Sequence, residues 1–110
     1  MQCHRLALGV VAEDKTVLPI FLKQLLSVLR ELGCVYATPS EGSWLVAACD
    51  DALLTVYPML ATIADLTSRP MHAPDASIVV AGEANSIVKL VGELIRVARA
   101  MRITVYPIPL

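Results

Sequence analysis

The chain of 110 residues reads as one α/β domain in the order β-α-β-β-α-β-α-β, a five-stranded mixed sheet packed by three helices. Three observations predict this class. Short apolar runs rich in β-branched residues, such as Ser77 to Ala81, mark strands buried on both faces. Apolar residues at 87, 88, 90, 91, 94, 95, 97, 98 and 101 recur at helical spacing, with Lys89, Glu93, Arg96, Arg99 and Arg102 on the opposite stripe. The turn-forming stretch Ser40 to Ser43 joins two apolar runs too closely for a parallel crossover, so those two strands pair antiparallel.

The elements follow in order. Leu6 to Ala12 is a first buried strand, closed by Glu13, Asp14 and Lys15. The next helix is capped by Asp14 or Thr16, carries Pro19 in its first turn and ends at Gly33, where a left-handed cap falls. Its buried stripe is 18, 21, 22, 25, 26, 29 and 32. Cys34 to Thr38 and Trp44 to Cys49 form the hairpin. Asp50 and Asp51 then cap a helix from Ala52 to about Thr67, apolar all round and kinked at Pro58. Arg69 to Asp75, with two prolines, is a loop. The strand Ser77–Ala81 follows, then a break over Gly82, Glu83, Ala84, Asn85 and Ser86, with Asn85 or Ser86 as cap. The third helix runs from Ile87 to Met101, and Ile103–Tyr106 is a strand that stops at Pro107.

Composition narrows the class of function. Apolar residues make up 56% of the chain and charged residues 17%, against roughly 45–50% and 25% in average domains. That surplus calls for a sheet covered on both faces or for burial against a second copy. No run reaches the ~18 uncharged apolar residues of a membrane span. A net charge of −1 without a basic tract gives nucleic acid nothing to hold. Three dispersed cysteines, Cys3, Cys34 and Cys49, argue against a disulfide framework and for a reducing compartment. With no leader-like segment before Glu13, a cytoplasmic location is expected.

Candidate sites are sparse. If the strands run parallel, Glu13, Asp14, Asp50, Asp51 and Glu83 share one rim, where clustered carboxylates bind a divalent cation or raise one another's pKa. The same residues serve equally as helix caps and as partners of helix dipoles. The segment Gly82, Glu83, Asn85, Ser86 sits where backbone amides hold phosphate, but it matches neither GxGxxG nor GxxxxGK[ST], so no cofactor is expected. Cys34 and Cys49 read as buried, inert thiols. His72 in the proline-rich loop, Trp44 beside the hairpin turn, and Arg96 and Arg99 on the basic stripe are the candidate partner contacts. No catalytic constellation of serine, histidine and acid emerges.

The order strand–helix–strand–strand–helix–strand over residues 4–83 is similar to ferredoxin-like modules, including ACT-type regulatory domains. In those, an acidic loop ending in glycine follows the first strand, whereas Lys15-Thr16-Val17 stands here. Residues Val79 to Pro109 also look like the central strand–helix–strand of L7Ae-type RNA-binding proteins, without their asparagine–glutamate helix start. The first likeness implies a ferredoxin-like core with an αβ extension; the alternative arrangement is a three-layer, flavodoxin-like sandwich. The expected function is a non-catalytic binding or regulatory module, working as a homodimer through a protein partner or a small ligand. The alternative is a small enzyme or divalent-metal site on the acidic rim.

Overall fold

The computed structural model describes residues 3–37, 44–58 and 74–109. Six strands form one sheet: β1 (His4–Ala12), β2 (Val35–Ala37), β3 (Leu45–Cys49), β4 (Ala52–Pro58), β5 (Ala76–Gly82) and β6 (Ile103–Ile108). Two helices complete the described chain, α1 (Leu18–Glu31), entered through a short 3-10 turn at Lys15–Val17, and α2 (Ala84–Ala100). The sheet order is β2-β3-β4-β5-β1-β6, and every pairing is antiparallel.

This overturns the expected five-stranded mixed sheet with three helices. It also sets aside both the ferredoxin-like order and the flavodoxin-like alternative, whose sheet is parallel. The decisive difference is Ala52–Pro58, a strand rather than the start of a helix. Asp50 and Asp51 are the two-residue turn of a hairpin in which Cys49 lies opposite Ala52. Asp50 takes a positive φ of 51°, a conformation aspartate tolerates in tight turns. Along β4, Ala52, Leu54 and Val56 point to one face and Leu53, Thr55 and Tyr57 to the other. Because both faces are largely apolar, the run lacks the polar alternation of a half-solvated strand and mimics a buried helix. The remainder of that expected helix, residues 59–67, lies outside the described residues.

Both helices were otherwise legible. α1 buries Phe21, Leu25, Val28 and Leu29, begins with Pro19 in its first turn, and is followed by Gly33 at φ 82°. α2 buries Ile87, Leu90, Leu94, Val97 and Ala98. Val88 and Ile95, expected in its buried stripe, are 70% and 39% exposed. The helix also starts earlier than Ile87, with Glu83 as its cap and its carboxylate accepting from the Ser86 N–H at 3.2 Å.

One hydrophobic core joins the helices to one face of the sheet. Leu8, Val10 and Ala12 of β1, Leu45 and Ala47 of β3, Leu54 and Val56 of β4, and Ile78 and Val80 of β5 meet Leu25, Leu29 and Leu94 there. The architecture is therefore two layers, with α1 and α2 side by side on a single face. Among the described residues no helix is laid on the other face.

Candidate functional site

Antiparallel pairing divides the acidic residues between the two ends of the sheet. Ala52 pairs with Gly82, so the Asp50–Asp51 turn and Glu83 share one end. His4 of β1 also pairs with Gly82, which puts Glu13 and Asp14, beyond Ala12, at the opposite end. A nine-residue strand spans about 27 Å. Five carboxylates on one rim required parallel strands and do not occur. Among the described residues, no three His, Cys, Asp or Glu side chains converge as ligands for a metal ion.

Several of these residues have structural partners. Asp14 caps the 3-10 turn, accepting from Thr16 N at 2.9 Å and Thr16 Oγ1 at 2.7 Å, and these bonds hold its carboxyl below the ordinary carboxylate value. The Asp51 carbonyl accepts from Glu83 N–H at 3.0 Å, stitching the β3–β4 turn to the start of α2. A Cβ on Gly82, whose φ is 146°, would fall on that same carbonyl oxygen, which explains a glycine there. Asn85 is exposed, and Ser86 donates its backbone N–H to Glu83. Arg96 pairs with Glu93 at 2.6 Å, one turn away, and Arg99 is exposed in the last turn of α2. Trp44 is 37% exposed, with its backbone N–H on the Val56 carbonyl at 2.7 Å. His72 lies outside the described residues.

The proline-rich stretch predicts only a loop at Asp75, yet this residue fastens one end of the sheet. Its backbone N–H donates to the Val10 carbonyl at 2.8 Å, and its carboxylate accepts from Ala12 N–H and Lys15 Nζ, each at 2.8 Å. Tyr106 feels the same group: burial, and secondarily the Asp75 charge, raise its phenol above the ordinary value of 10.

The two cysteines expected to be inert thiols are joined. Cys34 and Cys49 form a disulfide across the β2–β3 hairpin, with Cα atoms 4.4 Å apart. Val35 pairs with Ala48, so the next pair outward is Cys34 with Cys49. The signal was present in the sequence, because a hairpin centred on the Ser40–Ser43 turn brings those two positions level. Cys3 is free and exposed.

The feature with the greatest reach is the face of the sheet opposite the helices. Register places Val35, Ala48, Leu53, Ala81 and Arg5 in one row across it. Ala37, Val46, Thr55, Val79, Ala7 and Ile108 form a second row. Tyr57, Ser77, Gly9 and Tyr106 form a third, in which the Tyr106 ring lies over Gly9 where a Cβ would otherwise stand. The Ser77 hydroxyl in this row is buried and has no hydrogen-bond partner among the described residues. Val35 is 75% exposed and Leu53 46%. Arg5 is the one charged side chain in these three rows, so the face is apolar and nearly neutral.

On the far side of the helices, an open cleft of about 340 Å³ separates α1 from α2, lined by Ile20, Val28, Val97 and Met101 with Gln24 and Arg96. No helix is long and apolar enough to cross a membrane among the described residues. No protein-family model matches this chain, and no curated protein matches its sequence.

Proposed function

We propose that the protein is a non-catalytic binding module that works as a homodimer, two copies joined through the face of the sheet opposite α1 and α2. The observation that carries this reading is the chemistry of that face: three rows made mostly of Val, Leu, Ala, Tyr and Ile side chains, with Thr55 and Ser77 among them and a single charge, Arg5, at one corner. A water-facing sheet surface normally alternates polar residues against the core. Here the alternation is missing in β3, β4 and β5.

A second copy suits this surface for two reasons. A nearly uncharged face needs no complementary charge and is its own complement under a two-fold axis. Its exposed part, where Val35 and Leu53 are 75% and 46% exposed, offers a second copy large apolar side chains to cover, whereas Ala7, Gly9 and Ser77 toward β1 and β5 are already buried within the chain.

The test places a charge at the centre of the face. Val79→Lys is expected to turn a dimer into a monomer of 11.8 kDa in size-exclusion chromatography with light scattering, with an unchanged far-ultraviolet spectrum. A wild type that is already monomeric, with Val79→Lys lowering the melting temperature without changing mass, would contradict the reading.

A further inference from the structure

We propose that the Cys34–Cys49 disulfide is a redox latch on the edge strand β2, distinct from any pairing of the sheet faces. β2 is three residues long and buries none of them. Among the described residues it pairs with β3, at the margin of the sheet. The residue before it, Cys34, is buried, tied to β3 by its sulfur and to the end of α1 by its N–H on the Leu29 carbonyl at 2.9 Å. A strand with no buried side chain has little but its ladder bonds to hold it, and such segments belong to the low-stability end of a fold. The disulfide supplies the missing attachment, closing a loop with a sequence separation of 15.

Reduction by a dithiol, such as a thioredoxin-type reductant or dithiothreitol, transfers two electrons and two protons to the bond. Cys34 and Cys49 become thiols, and the reductant becomes its own disulfide. The bond to Leu29 then acts as the hinge: Cys34 stays with α1, and Val35 to Ala37 leave the sheet. The edge passes to β3, whose Leu45 to Cys49 backbone loses its partner on that side. An unpaired edge of five uncharged residues is the surface that extended segments add to. The core strands β4, β5, β1 and β6 keep all their pairings. Where the surroundings are reducing, bonds of this kind are made and broken rather than permanent.

Hydrogen exchange read by mass spectrometry on the full chain, with and without dithiothreitol, tests this. Disulfide mapping after alkylation first locates the bond between Cys34 and Cys49, leaving Cys3 labelled. On reduction, amides in 35–37 and those in 46–48 that face β2 exchange at least about tenfold faster, while those of Leu8, Val10, Ile78 and Val80 keep their protection. The Cys34→Ala/Cys49→Ala double variant reproduces the reduced pattern without reductant. Three results would each overturn the latch: no Cys34–Cys49 bond on mapping, unchanged exchange in 35–37 on reduction, or equal loss of protection throughout β1 and β5, which would make the bond a staple of the whole fold.

Discussion

Three glycines in this chain should respond to alanine with different magnitudes and signs, and Gly82 is the most severe. Its φ of 146° is poorly accessible to an L side chain, and the added Cβ would land on the Asp51 carbonyl and crowd Ala52. The backbone conformation alone costs about 1–3 kcal/mol. Relieving the overlap moves the β3–β4 turn and releases the bond from Glu83 N–H to Asp51, a further loss of about 1 kcal/mol. Gly82→Ala is thus expected to lose about 3 kcal/mol, which lowers the melting temperature by roughly 12 °C or more in a domain of this size. Gly33 has φ 82° and open space around its missing Cβ, so its alanine variant carries only the backbone cost, about 1 kcal/mol. Gly92 lies within α2 with nothing near, and alanine there stabilises by about 0.5–1 kcal/mol. Thermal unfolding by circular dichroism reads all three. A Gly82→Ala melting point within two degrees of wild type, or a destabilising Gly92→Ala, would refute the reasoning.

Leu94 has no exposed surface, so Leu94→Ala should cost about 2–5 kcal/mol and Leu94→Asp should leave the chain unfolded, both visible in denaturant titrations. Asp75→Ala strands the Ala12 N–H and breaks the ion pair with Lys15, a loss of about 1–3 kcal/mol; an unchanged urea midpoint would contradict the role given to Asp75. In spectrophotometric titration, one tyrosine should ionise above the ordinary value of 10, and Tyr106→Phe should remove that step. Since the folded value is raised, Tyr106's contribution to stability is complete below pH 10 and is lost as pH rises through the folded value. With Glu13 and Asp14 at one end of the sheet and Asp50, Asp51 and Glu83 at the other, millimolar Mg²⁺ or Ca²⁺ should leave the melting temperature unmoved, whereas a cation bound to the folded state would raise it by mass action.

What could be read from the residues alone depended on periodicity. The α1 and α2 stripes stand out because Lys23, Arg30, Glu93 and Arg96 face away from the apolar band, although Val88 and Ile95 fall outside it and Val28 within it. Strands β1, β3, β5 and β6 announced themselves through short β-branched runs. β4 did not, because with Leu53 and Tyr57 outside and Leu54 and Val56 inside it has no period of two in polarity. That one misreading hid the antiparallel centre of the sheet, and with it the separation of Glu13 and Asp14 from Asp50, Asp51 and Glu83. The unpolar outer face and the misread strand are one fact: the residues that made β4 resemble a buried helix are those that leave the second face of the sheet apolar. The Cys34–Cys49 pair was missed differently, by counting cysteines instead of laying the hairpin out in register.

Sedimentation equilibrium of the wild-type chain across a range of concentrations tests the dimer reading most directly. A species of twice 11.8 kDa, dissociating on dilution, is the expected result. A single 11.8 kDa species at every concentration would contradict it.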